Sequence, residues 1–166
     1  MDGRIFQLSN KKINEDDFIA QEDFYESDFM GAVADNVYGN IEKEKDIKCL
    51  FKRLKPFGII TNEAEKSIIF TRGFKKRYFK EKFEEFKKMA ENITIDEFID
   101  PSTIYKLTKL IKNRLDYYIY IDDYLQALDD FVRRSLQEEQ KYFIGGIVGY
   151  HAPELDFIVN YHLLHY

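Results

Sequence analysis

The sequence predicts an α+β fold: one domain over residues 1–166, with a mostly antiparallel sheet built from local β-hairpins and amphipathic helices packed on one face. Three observations carry this. Two β-branched runs, Gly58-Ile59-Ile60-Thr61 and Ser67-Ile68-Ile69-Phe70-Thr71, flank a five-residue polar loop, the pattern of a hairpin. Several other stretches repeat apolar residues at i, i+3, i+4 and i+7, the period of a helix with one buried face. Pro56, Pro101 and Pro153 fall at element boundaries, and no Gly/Ser/Pro-rich linker divides the chain.

Taken in order, Arg4 to Leu8 reads as a short strand, followed by a polar loop through Asn10-Lys11-Lys12. Phe29, Met30, Val33 and Val37 predict a helix from about Ser27 to Tyr38, ended by Gly39-Asn40. Ile47, Leu50, Phe51 and Leu54 predict a second, with Lys52, Arg53 and Lys55 in a last turn that suits the helix dipole. After the 58–71 hairpin, Gly73 breaks the strand and a helix runs from about Phe74 to Asn92, its buried stripe being Phe79, Phe83, Phe86 and Ala90.

Thr94-Ile95-Asp96-Glu97 is a capping-box pattern that opens a short helix. Pro101-Ser102 opens another, with Ile104, Leu107, Ile111 and Leu115 as its apolar stripe. Tyr117 to Ile121 is β-rich but too short to fix a period. Leu125, Leu128, Phe131, Val132 and Leu136 predict a helix with Asp122 and Asp123 at its start and Arg133 and Arg134 toward its end. A second hairpin closes the chain, Tyr142 to Tyr150 returning through a His151–Glu154 turn into Asp156 to Tyr166.

Charge is sorted along the chain more sharply than the net of −5 suggests. Residues 1–46 carry a net of −7, residues 47–92 a net of +7, and residues 93–166 a net of −5. Such sorting points to partners met through charged faces, unless the blocks neutralise one another inside the fold. Twelve Tyr and fifteen Phe without Trp read as a Phe core under a Tyr-decorated surface. The single cysteine, Cys49, excludes an internal disulfide framework and suits a reducing compartment. No apolar run approaches the roughly 20 residues of a membrane span. A cytoplasmic protein without membrane contact is the expectation.

Two segments stand out as candidate sites. The basic one, Arg72, Lys75, Lys76, Arg77, Tyr78 and Lys80, continues to Lys82 and puts six cations in eleven residues, with aromatics among them. Clustered cations bind phosphate, and exposed aromatics stack on bases. The same cations would steer toward an acidic protein surface. The bland reading is a solvated helix with i,i+4 pairs such as Lys80–Glu84. The acidic candidate, Asp16, Asp17, Glu22, Asp23 and Tyr25, lies in a stretch where Phe18, Phe24 and Phe29 would serve either as anchors for a protein partner or as core.

Other motifs are weaker. His151, His162 and His165 cluster near the end, but a strand there would turn His162 and His165 to opposite faces, so no metal site is assigned. Gly145-Gly146-Ile147-Val148-Gly149 lacks the Gly-Lys-Ser/Thr ending of a P-loop and reads as a bulged or closely approached strand. No catalytic residue and no cofactor is assigned.

The leading expectation is a non-enzymatic protein that binds a protein partner, as an inhibitor, immunity or anti-defence factor of a bacterial mobile element or phage does. The composition is that of many such accessory proteins, an association rather than a mechanism. Nucleic-acid binding through the basic helix 72–88 is the alternative. A metal-dependent hydrolase or nuclease with dispersed carboxylates or histidines is the third. An edge strand rich in Tyr and Phe makes a homodimer reasonable.

Overall fold

The computed structural model describes residues 2–153, and in them one open sheet of seven strands organises the chain. Strand β1 (Asp2–Ser9) is followed by 3-10 turns at Glu15–Asp17 and Gln21–Phe24, the one-turn α1 (Phe29–Ala32) and β2 (Asn36–Tyr38). Helix α2 (Lys43–Leu54) leads into the hairpin β3 (Ile59–Asn62) and β4 (Ser67–Phe70). Three helices then run consecutively: α3 (Phe74–Asn92), α4 (Ile95–Ile99) and α5 (Pro101–Ile111). A second hairpin, β5 (Tyr117–Ile121) and β6 (Tyr124–Ala127), is followed by α6 (Leu128–Asp130), which continues as a π-turn over Phe131–Ser135. The long strand β7 (Lys141–His151) completes the sheet.

The strand order is β3-β4-β7-β1-β5-β6, with β2 also pairing β7. All pairs are antiparallel except β1 with β5, where Ile5 stands opposite Tyr118. Strand β7 is central because it is buried along nearly its whole length, which the glycine-containing apolar run Ile144–Tyr150 permits. The register shifts between Phe6 and Leu8 opposite residues 144–147, a bulge at the Gly145-Gly146 pair.

Alternation along the strands divides the core in two. Phe6, Leu8, Ile68, Phe70, Ile119, Ile121, Tyr142, Ile144 and Ile147 face one side, packed against α2, the start of α3, and Leu128, Phe131 and Val132. Ile5, Tyr118, Val148 and Tyr150 face the other, packed against Ile19, Phe24, Phe29, Ala34 and Val37. Helices cover the first side and the N-terminal turns cover the second. Edge-to-face ring pairs tie each side together, among them Phe70 with Phe74 and Phe29 with Tyr150.

The α+β fold with a mostly antiparallel sheet and local hairpins is as expected, and so are the bounds of α3. Strands β3 and β4 lie within a residue of the expected Gly58–Thr61 and Ser67–Thr71, and α2 forms where its stripe predicts but ends at Leu54, before Lys55. The helix expected over 27–38 is not formed. Only a single turn exists there, broken at Met30 and at Gly31 with φ +87°, and Val37 enters the sheet instead. The helix expected from Leu125 begins later. Asp122 and Asp123 both take positive φ and make the tight β5–β6 turn, so Leu125 sits in a strand. The return strand Asp156–Tyr166, with His162 and His165, lies outside the described residues.

Candidate macromolecular interface

Residues 15–35 carry eight carboxylates and no Lys or Arg. From Ile19 onward they form an acidic face over the side of the sheet opposite α3, while Phe18 meets the start of α2 at Lys43. Phe24 and Phe29 are buried there and Phe18 is half-buried with the Lys43 ammonium over its ring, so these aromatics hold the segment down. Only Tyr25 is exposed. Asp16, Asp17, Glu22 and Asp23 are exposed as well.

The segment is pinned by polar contacts that the charge pattern does not reveal. The Gln7 side-chain oxygen accepts from the amides of Ile19 (3.0 Å) and Gly146 (2.8 Å), and its Nε2 donates to the Asp17 carbonyl (3.0 Å). Gly146 is needed for this approach, because a Cβ there would lie 2.5 Å from the Ile19 carbonyl oxygen. Asp23 Oδ2 accepts from the Ala20 amide at 2.8 Å, and Gln21 accepts from the Gly39 amide at 2.6 Å. A rigid backbone thus presents the carboxylates without ordering costs at the moment of binding.

On the other side, most of the basic candidates are already engaged. Arg72 pairs with Glu139 at 3.2 Å. Arg77 donates to the Phe57 carbonyl (2.7 Å) and the Thr71 hydroxyl (2.9 Å), closing the turns on either side of the hairpin. Tyr78 points inward and donates to Asp129 at 2.5 Å, so it is no stacking platform. Lys80 approaches Glu84 at 4.0 Å, an exposed i,i+4 pair of little energetic weight. The Lys75 and Gly73 amides donate to Glu138 at 2.9 and 3.1 Å, so a carboxylate from beyond α6 caps the N-terminus of α3. Those amides hold the Glu138 carboxyl below the usual range. Lys75 is half-buried and Lys76 is exposed. Among the described residues, no ion pair links 15–35 with 72–88; the two charged segments lie on opposite sides of the sheet.

Between α3, α5 and the end of α2 lies a cleft of about 290 Å³, lined by Arg53, Tyr78, Lys82, Lys109, Arg114 and Asp129 among others. Asp129, whose side chain is 3% exposed, accepts from Tyr78, from the Arg114 amide (2.8 Å) and from Lys82 (3.4 Å). Arg53 lies 3.8 Å over the Tyr117 ring and pairs with Asp116 at 2.5 Å. Burial, then the Asp129 charge, raises the Tyr78 pKa, which keeps the phenol a protonated donor instead of a nucleophile. Asp129 and Asp116 pair with Lys82, Arg53 and Arg114 around the cleft, while Asp116 Oδ1 is buried without a hydrogen-bond partner among the described residues. Among the described residues, no group of three or more His, Cys, Asp or Glu is arranged to hold a metal ion, and His151 instead contacts Asp35 at 2.9 Å.

The stripes expected to be buried on α3 and α5 are not. Phe79 and Phe86 are half-buried, Phe83 and Ala90 are exposed, and α4 and α5 contain no buried residue. From about Phe83 onward, α3, α4 and α5 form an arm that packs mainly on itself. No known protein family, curated protein or solved structure matches the chain.

Proposed function

We propose that this chain is a non-enzymatic binding protein whose carboxylate-rich face docks on a basic surface of a protein partner, in the manner of an inhibitor, immunity or anti-defence factor. One observation carries the reading: eight carboxylates lie in a segment without Lys or Arg, fastened over one side of the sheet and away from the cationic helix α3. Such a field draws in a cationic partner and orients it, raising the association rate more than the final affinity. Exposed Tyr25 supplies an aromatic contact within the patch. The engagement of Arg77 and Tyr78 within the fold favours this face over the basic one.

The test is capture from the source cell by the immobilised protein, followed by identification of what is retained. Charge reversal at Asp16, Asp17, Glu22 and Glu26 leaves the Asp23 cap untouched and should abolish capture of a basic protein. Capture undiminished by that reversal overturns the assignment. Retention of an oligonucleotide, lost on reversing Lys75 and Lys76, would transfer the function to the basic helix.

A further inference from the structure

The arm carries two exposed features of opposite character. Near its base, Phe79, Phe83, Phe86 and Ile111 wall an apolar groove of about 260 Å³ rimmed by Lys82 and Arg133. That is the scale of one or two buried anchor side chains and falls short of a drug-sized ligand site. Phe83 is 61% exposed. Lys76, Lys80 and Lys87 stand seven, three and four residues from Phe83, so they share its helix face and make the flank cationic.

At the tip, α4 is the counterpart. Ile95, Phe98 and Ile99 are 71%, 54% and 68% exposed, and Asp96, Glu97 and Asp100 are interleaved with them. A short acidic helix with apolar anchors is the chemistry that a cation-rimmed apolar groove accepts. Within one chain the two do not meet. The tip begins beyond Asn92, about 14 Å along the helix axis from Phe83 at 1.5 Å per residue, and its apolar side chains stay in solvent.

We infer that the arm is a self-association surface: α4 of one copy seats in the Phe83 groove of a second copy, and the reverse, through an antiparallel two-fold pairing of the arms. Two-fold symmetry makes each copy supply one tip and one groove, so a single complementary pair is used twice. The arrangement buries Phe83, Ile95, Phe98 and Ile99 together and sets Asp96 and Glu97 against Lys76 and Lys80. It uses neither the acidic face nor the sheet edges, so it is independent of the function proposed above.

Sedimentation velocity over a wide concentration range tests this on the full chain. The wild type should convert from monomer to dimer with rising concentration, less readily at high salt. Phe83→Asp should raise the dimer dissociation constant about tenfold or more, the loss expected of an anchor. K76E/K80E and D96K/E97K, all at exposed positions, should each be monomeric because both interface halves then repel. Mixed, they should form a heterodimer, since each groove now faces a tip of opposite charge. A monomeric wild type overturns the inference. So does a dimer that Phe83→Asp leaves intact, or a pair of charge variants that fail to associate when mixed.

Discussion

Replacing Gln7 with Leu tests whether the acidic face is held as rigidly as its contacts imply. The substitution keeps side-chain bulk but removes the acceptor for the Ile19 and Gly146 amides and the donor to the Asp17 carbonyl. A buried amide left without a partner costs about 1–3 kcal/mol. Both bonds are only partly buried, so values near the low end apply, and the two together amount to about 2–3 kcal/mol. In a chain of this size 1 kcal/mol moves the melting temperature by about 2–4 °C, so a fall of roughly 5–10 °C is expected. Urea unfolding gives the free energy, and amide hydrogen exchange locates it. Exchange should accelerate at Ile19 and Gly146 well beyond any change at Ile68 in the opposite core. A loss under about 0.5 kcal/mol, with exchange at Ile19 unchanged, would refute the idea that Gln7 fastens the segment.

Two further outcomes concern the helical side. Tyr78→Phe should cost about 1.5–3 kcal/mol as the charged Asp129 loses a donor, and Asp129→Ala about 3–5 kcal/mol because Tyr78, Lys82 and the Arg114 amide all lose their acceptor. The double variant should cost less than the two singles added, which a double-mutant cycle by denaturant unfolding measures. Glu138→Gln should cost about 0.5–1 kcal/mol at neutral pH by weakening the cap of α3. The Glu138 pKa is depressed in the folded state, so its stabilisation is present above the unfolded value near 4.3 and is lost as pH falls through the folded one. The melting-temperature gap between wild type and Glu138→Gln should therefore close below about pH 4.

Elements with strong local signals were legible in the sequence. The β-branched runs at 59–70, the Thr94 capping box and the Pro101 helix start each form where their chemistry places them, Thr94 accepting from the Glu97 amide at 3.2 Å. The errors share a physical origin. Phe29, Met30, Val33 and Val37 have helical spacing, yet Phe29 and Val37 are drawn onto the sheet by Tyr118 and Tyr150, and tertiary burial overrides the period. Leu125 reads as the start of a helix, and strand β6 is missed, because a two-residue Asp turn is weakly marked next to Asn-Gly or Asp-Gly. Helical periodicity also led to the expectation of burial for Phe83, Ile104 and Ile111. Periodicity identifies an apolar face but not what covers it, and here the described residues leave these three exposed.

For the interface, charge sorting identified both segments, and the acidic residues are as exposed as expected. It did not reveal that Arg77 and Tyr78 serve the fold, since the Phe57 carbonyl and Asp129 that engage them are 20 and 51 residues away. Gln7 and Glu138 carried no signal at all. Each acts on backbone amides brought near only by the sheet or by the π-turn after α6.

The central claim is that the carboxylates of residues 15–35 are an outward, preorganised binding face. Its most direct measurement compares capture from the source cell by the wild type and by the Asp16, Asp17, Glu22 and Glu26 charge-reversed chain, with circular dichroism verifying that both are folded. The wild type should retain a basic protein in a salt-sensitive manner and the reversed chain should retain none. Equal retention by the two folded chains would contradict the claim.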